Sequence, residues 1–180
     1  MRRSGSIPFP RPSQTPKHAP MIFAHPALLP AGPLMAIDPG SKTLGVAVCD
    51  AQRTVVTPLE TILRTKFTFD AKALLELYDA RKCKGLVIGL PLHMDGGDGR
   101  RAQSSRSFVT NLLRIRDLPV CYQDERLTTF GAMEQLIEAG VKPSARKDLV
   151  DAQAAALILE AAIARAADGP PKPEDGGPLA

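Results

Sequence analysis

Short apolar runs and longer amphipathic segments alternate along the middle of the chain. Apolar runs bounded by Gly, Pro or polar turn residues are typical of strands, and apolar residues three or four positions apart are typical of helices. The pattern predicts five strands, at Leu34–Asp38, Leu44–Cys49, Arg53–Leu63, Gly85–Leu90 and Leu118–Gln123. It predicts helices at Asp70–Lys82, Arg101–Ile115, Thr128–Ala139 and about Ala145–Arg165.

The order of these elements predicts the fold class. Three strands precede the first helix, and helices and strands then alternate. Strands joined by short turns form an antiparallel meander, whereas strands joined through helices run parallel. We therefore predict an α/β protein with a five-stranded mixed sheet, in which three antiparallel strands are followed by parallel ones and helices cover both faces.

The composition changes at both ends of the chain. Residues 1–33 contain eight of the 17 prolines and no acidic residue, so they can neither sustain a helix nor bury much apolar surface. We expect a disordered basic leader at 1–33, one folded domain at 34–166 and a disordered tail at 167–180. The sequence leaves open whether translation starts at Met1 or Met21.

Net charge indicates no particular partner, whereas hydropathy and cysteine usage each argue against a class of protein. The formal charge is +4, but residues 34–165 account for only +2 of it, which is too little to indicate a partner. No apolar run is long enough to cross a bilayer, so we expect no membrane partner. The three cysteines form no closely spaced pair, which predicts reduced, buried thiols in a cytoplasmic protein rather than disulfides or a metal site. Nothing in the pattern predicts an oligomeric state.

Three carboxylates occupy positions where polar groups are unexpected. Asp38 ends the first strand, Glu125 follows the fifth, and Asp151 heads an apolar stripe in the last helix. Sites in α/β sheets form at the carboxyl ends of parallel strands, and a carboxylate among apolar neighbours needs a partner or a cation. Converging carboxylates select hard cations such as Mg²⁺ or Mn²⁺, and a pair of these ions suits phosphodiester cleavage.

Each carboxylate also has a structural interpretation. Asp38 stands before Pro39 and Gly40, so taken alone it favours a turn cap. Glu125, beside Arg126, is equally compatible with a salt bridge in a loop. Asp151 alone favours a functional role because its helical neighbours are apolar. Taken together, Asp38, Glu125 and Asp151 favour a metal site, with the same three residues as the catalytic set.

Four segments resemble a known family. "AIDPGSKTLGVAVCD", "LVIGLPLHMDGGDGRRAQ", "YQDERLTT" and "KDLVDAQAAALIL" are similar to motifs of the YqgF family, Holliday-junction-resolvase-like proteins of bacteria regarded as nucleases of pre-16S rRNA. The resemblance covers roughly residues 34–163 and implies an RNase H-like fold. Its acidic motif positions fall on Asp38, Glu125 and Asp151, and its basic position in the first turn falls on Lys42. Cys49, Pro39 and Gln153 depart from the family's usual residues, and none of them is a proposed ligand.

Further residues are candidates for binding substrate. The first turn carries Lys42 beside Asp38, and Arg101 follows a glycine-rich loop. Arg126 and Thr128 flank Glu125 and could orient a phosphate. Any single arginine after the glycine-rich loop is equally compatible with a solvated helix start. Lys42, Arg101, Arg126 and Thr128 therefore form the predicted substrate-binding set.

The resemblance implies a metal-dependent endonuclease that acts on nucleic acid and matures the 5′ end of 16S rRNA in ribosome biogenesis. Three alternatives remain: a resolvase of four-way DNA junctions, a non-catalytic RNA-binding assembly factor with the same fold, and an ATP-binding protein of the actin and sugar-kinase type. The last has a similar first hairpin but needs two such lobes, and a core of about 130 residues supplies one.

Overall fold

One mixed sheet organises the chain in the computed structural model, which describes residues 21–93, 97, 99–125 and 143–170, with side chains from residue 150 in the last stretch. The strands are β1 (Ile22–Phe23), β2 (Leu34–Pro39), β3 (Thr43–Cys49), β4 (Val56–Leu63), β5 (Gly85–Leu90) and β6 (Val120–Asp124). The helices are α1 (Phe67–Ala80), α2 (Arg100–Ile115) and α3 (Pro143–Ala167).

The sheet has the predicted mixture of strand directions. Its spatial order is β1-β6-β5-β2-β3-β4. The strands β2, β3 and β4 pair antiparallel, whereas β2 with β5, β5 with β6, and β1 with β6 pair parallel. An antiparallel meander continued by parallel strands is confirmed, as the RNase H-like resemblance implied. The predicted strand count of five is wrong, because β1 adds a sixth strand beside β6.

The extra strand belongs to the segment assigned to the leader. Residues 21–33 contain β1 and a 3-10 turn at Pro26–Leu28, so this part of the leader is ordered. A two-residue strand carries no periodicity, and its pairing to β6 depends on residues about 100 positions away. Residues 1–20 and 171–180 and the helix predicted at Thr128–Ala139 lie outside the described residues.

The alternation of side chains along each strand sorts the core into two layers. Met35 and Ile37 of β2 pack on one face with residues of α1 and α2. Leu34 and Ala36 point to the other face and pack with Ile158 and Leu159 of α3. We call this second side the α3 face. Helices thus cover both faces, as predicted, and the same alternation assigns Asp38 to the α3 face.

The remaining global predictions concern cysteines and membranes. Cys49, Cys83 and Cys121 are all buried and free, as predicted. The Sγ atom of Cys49 accepts a hydrogen bond from the backbone N–H of Leu34 at 3.2 Å. Within the described part of the chain, no helix combines the length and the apolar character that crossing a membrane requires.

Candidate active site

Glycines flank Asp38 on the α3 face of the sheet. Asp38 is paired with Gly45 across the β2–β3 ladder. On its other side Ile37 pairs with Ile88, so the next residue along β5, Gly89, lies beside Asp38. The central carboxylate therefore stands between two strands that have no side chain at its level.

Other functional groups occupy the space that these glycines leave open. A Cβ built on Gly45 would collide with the backbone carbonyl oxygen of Asp151, and one built on Gly89 would collide with the Glu125 carboxylate. The same Cβ on Gly89 would lie 2.7 Å from Cδ1 of Ile158. The helix α3 and the Glu125 side chain thus rest directly on the sheet, on opposite sides of Asp38.

The three carboxylates and one arginine share an electrostatic neighbourhood. Burial raises the pKa of Asp38 to about 6; the charge of Asp151 raises it as well, and Arg101 opposes both effects. Burial raises the pKa of Glu125 to about 8, with a further contribution from Asp38 and opposition from Arg101. The charged forms of both acids are disfavoured because they are partly or wholly removed from water and too little positive charge lies nearby.

The chemistry of these groups fits a hard cation. All three side chains offer carboxylate oxygens, the ligands that Mg²⁺ and Mn²⁺ select. The Oδ2 atom of Asp151 is buried and accepts no hydrogen bond from the described residues. Among those residues, however, no three acidic, histidine or cysteine side chains converge closely enough to form a metal site as they stand. The carboxylate oxygens are therefore chemically suited to a cation. That all three bind the same cation is a proposal.

The structure locates two of the four predicted substrate-binding residues. Lys42 is exposed in the turn between β2 and β3, and its carbonyl accepts a hydrogen bond from the backbone N–H of Arg64 at 2.9 Å. Arg101 is exposed in the first turn of α2 and acts electrostatically on both Asp38 and Glu125. Arg126 and Thr128 lie outside the described residues.

Arg64 supports the site, and the sequence analysis missed it. Its Nη1 atom donates to the carbonyl of Gly40 at 2.7 Å, and its Nε atom lies 3.9 Å from Oδ2 of Asp70. Its guanidinium also stacks over the ring of Phe108 at 5.7 Å. These contacts hold the turn that follows Asp38 against α1 and α2. No local pattern marks Arg64, because its partners lie in other elements.

Gly89 is a local sequence signal for the position of Glu125. Gly89 interrupts the apolar run of β5, and a glycine inside a strand often marks the close approach of another group. That signal could have linked Gly89 to Glu125, which lies directly above it.

The chain is similar to known proteins in sequence and in fold. A family model described as "RuvX: Holliday junction resolvase" matches residues 32–165. A protein of Phenylobacterium zucineum named "Putative pre-16S rRNA nuclease" is 50% identical over 143 residues, covering 78% of this chain and 92% of that protein. A protein of the same name from Paramagnetospirillum magneticum is 50% identical over 127 residues, covering 71% of this chain and 82% of the relative. Among solved structures, Thermus thermophilus RuvC aligns with a TM-score of 0.45 at 15% identity, covering 74% of this chain and 97% of that chain.

Proposed function

Because the chain belongs to the RuvX family of Holliday junction resolvases, we propose that it is a metal-dependent nuclease that hydrolyses phosphodiester bonds. One observation carries the proposal. Asp38 from β2, Glu125 from the end of β6 and Asp151 from α3 reach the same edge of the sheet, where their charges interact. Acids held partly or wholly out of water destabilise a fold, and groups of them are found mainly at functional sites.

Asp38, Glu125 and Asp151 are the proposed metal ligands. Mg²⁺ or Mn²⁺, by expectation two ions, would neutralise the carboxylates and activate water for attack. The buried Oδ2 of Asp151, which accepts no hydrogen bond from the described residues, supports this assignment. The raised pKa of Asp38 supports it too, because burial and the charge of Asp151 disfavour its carboxylate form and a cation would favour that form.

The chain's own cations would position the scissile phosphate. Arg101 lies close enough to Asp38 and Glu125 to lower the pKa of both, so its charge stands at the edge of the site. An arginine there can donate two hydrogen bonds to phosphate oxygens. Lys42 is the second candidate, because the short turn after β2 carries it near the same edge. Arg126 and Thr128 keep their proposed role of orienting a phosphate beside Glu125.

The proposed reaction is hydrolysis with water as the nucleophile. The water oxygen forms a bond to phosphorus, the bond from phosphorus to one sugar oxygen breaks, and that departing oxygen gains a proton. On one side of Asp38, the Glu125 carboxylate and Cδ1 of Ile158 lie over Gly89. The substrate would approach from the side of Arg101, whose side chain is exposed.

The proposed substrate is precursor 16S rRNA, processed at its 5′ end. The names of the relatives in Phenylobacterium and Paramagnetospirillum support it, since each matches across most of its length at 50% identity. A four-way DNA junction is the second candidate substrate, favoured by the description of the family model. The expected cytoplasmic location stays a prediction.

A parallel cleavage assay tests the proposal. The purified full-length protein, with Mg²⁺ or Mn²⁺, is incubated with a 16S precursor leader and with a synthetic four-way junction. We expect cleavage of the RNA that EDTA abolishes. We expect Asp38→Asn and Asp151→Asn to reduce the rate at least about 100-fold, a typical loss when a group that acts on the reaction is removed.

The matched control is Asp50→Asn. Asp50 follows β3 at the opposite end from the Asp38–Gly45 pair, and its carboxylate accepts hydrogen bonds from the backbone N–H groups of Thr54 and Val55, at 2.6 and 2.8 Å. Because it lies away from the three acids, its substitution should leave cleavage intact. Cleavage of the junction alone would favour resolvase activity on DNA. Binding of RNA without cleavage of either substrate would favour a non-catalytic assembly factor. Equal rates for wild type and both site variants would refute the assignment of the site.

A further inference from the structure

The exposed side of α2 carries an uninterrupted polar stripe. The helix contains four arginines and no acidic residue. Positions spaced four and three residues apart lie on one face of a helix. Along one such face, none of the side chains is buried: Arg100, Ser104, Ser107, Asn111 and Arg114. We call this set the α2 stripe; at the rise of an α-helix it is about 21 Å long.

Within the part of the chain that the structure describes, the charges at the two ends of the stripe are not neutralised. Among the described residues, neither Arg100 nor Arg114 forms an ion pair. By contrast, Arg116, just beyond the helix, lies 2.8 Å from the Asp79 carboxylate and stacks over Tyr78. The stripe thus presents positive charge to solvent, whereas the arginine next to it is paired.

The middle of the stripe offers hydrogen-bond donors. A shallow groove of about 320 Å³ is lined by Arg106, Ser107, Thr110, Asn111 and Arg114. Arg114 donates to Oδ1 of Asn111 at 3.2 Å, which leaves the amide N–H groups of Asn111 as the outward-facing donors of that side chain. Guanidinium, amide and hydroxyl donors without a carboxylate acceptor match the oxygens of a phosphodiester backbone.

The stripe starts next to the carboxylates. Arg101, which acts electrostatically on Asp38 and Glu125, is the neighbour of Arg100. Further along the helix, the guanidinium of Arg106 lies 5.1 Å from the ring centre of Tyr122 on β6, the strand that leads to Glu125. A strand held on the stripe would therefore run from the proposed active site along α2.

We infer that the α2 stripe binds the phosphodiester backbone of a double-helical arm of the substrate, an inference that rests on the proposed nuclease function. Proteins that hold single strands usually add exposed aromatic platforms for the bases. The aromatic residue of α2, Phe108, is buried, and the ring of Tyr122 lies beneath Arg106. At 3.4 Å per base pair, the stripe spans about six base pairs. Recognition through the backbone alone accommodates either an RNA or a DNA arm.

Binding measurements test this inference separately from catalysis. Fluorescence anisotropy in EDTA measures the affinity of wild type, Arg114→Gln and Arg116→Gln for labelled RNA and DNA hairpins. The hairpin stems contain 3, 6, 9 or 12 base pairs, lengths chosen around the span of about six base pairs. Affinity of the wild type should rise with stem length and level off once the stem covers the stripe. Arg114→Gln should weaken binding of long stems several-fold and reduce the slope of log affinity against log salt by about one.

Arg116→Gln is the matched control, because it removes the same charge from an arginine that is already paired. It should leave affinity and salt slope near the wild-type values. Equal effects of the two variants would overturn the inference, as would an equal loss on unstructured single strands. Polyglutamate serves as an additional probe. If Arg114→Gln lost affinity for polyglutamate but not for the stems, the inference would be overturned in favour of an acidic protein partner. If stems bind as expected but nothing is cleaved, the proposed nuclease function is wrong and the inference about the α2 stripe is upheld. If the protein cleaves but Arg114→Gln binds stems like the wild type, only the inference about the α2 stripe is wrong.

Discussion

The backbone carbonyl of Asp151 rests on Gly45, in the space that the Cβ of any other residue would occupy. The contact brings α3 to the surface of the sheet beside Asp38, which pairs with Gly45 across the ladder. One missing side chain thus sets the height of the helix above the sheet and places two of the three acids together.

Gly45→Ala should therefore lift or tilt α3. Its new Cβ would meet backbone atoms of Asp151 and Ala152, which cannot rotate away as a side chain can. We expect a loss of at least about 1–3 kcal/mol in the free energy of unfolding, the usual cost of overpacking. Urea denaturation measures it. Gly85→Ala is the control, because the atoms nearest its Cβ would belong to side chains: Cδ2 of Leu34 at 3.1 Å and Cδ2 of Leu29 at 3.2 Å. Equal losses for the two variants would contradict the backbone argument.

Gly89→Ala should affect activity more than stability. The new methyl group would displace the Glu125 carboxylate and press on Cδ1 of Ile158, both of which are side-chain ends that can move. We expect cleavage to fall at least about 10-fold while unfolding free energy changes by no more than about 2 kcal/mol. Steady-state cleavage rates and urea denaturation of the same preparation check both parts. Gly85→Ala, a second buried glycine of β5, should retain the wild-type rate.

Glu125 should destabilise the metal-free protein as the pH rises. Burial raises its pKa to about 8 in the folded chain, whereas the unfolded chain loses the proton near its ordinary value of about 4.3. Between these values the folded state binds more protons, so the free energy of unfolding falls with increasing pH and levels off above about 8.

Glu125→Gln removes this titration. In EDTA the variant should match the wild type near pH 4 and exceed its stability by about 1 kcal/mol or more at pH 8. Denaturation at a series of pH values measures the difference, and Glu160→Gln, an exposed acid of α3, controls for the loss of a carboxylate. A stability difference that does not grow with pH would show that Glu125 ionises freely in the fold.

Arg165 should couple β1 to the rest of the sheet. Its Nη2 atom donates to the carbonyl of Ala24 at 2.8 Å, and its Nη1 atom donates to Oε1 of Gln123 at 3.0 Å. Arg165→Met should cost about 1–3 kcal/mol of stability, since hydrogen bonds from a charged donor are lost. In a chain shortened to begin at residue 30, which lacks β1 and Ala24, the same substitution should reduce the free energy of unfolding by a smaller amount. An additive double-mutant cycle would mean that Arg165 and β1 stabilise the fold independently.

Sequence reasoning succeeded where a local pattern determines the structure. The apolar runs of β2 and β5 have the length and boundaries of strands, and Asp38 stands out because it ends such a run. It could not establish that β5 lies between β2 and β6, which brings Asp38 and Glu125 to one edge, because strand order depends on long-range pairing. It missed β1 for the same reason, since a two-residue strand is stabilised by β6 and Arg165 rather than by its own sequence.

The two-layer core also restricts how the length of this chain can vary. In β2, Met35 and Ile37 pack beneath α1 and α2, while Leu34 and Ala36 pack beneath α3. Inserting or deleting one residue inside β2 would exchange the two sets and turn the Asp38 carboxylate into an aliphatic layer. Related chains can therefore gain or lose residues in the turns beside β2, whereas a single-codon indel within it would remove the core packing and the proposed chemistry in one event.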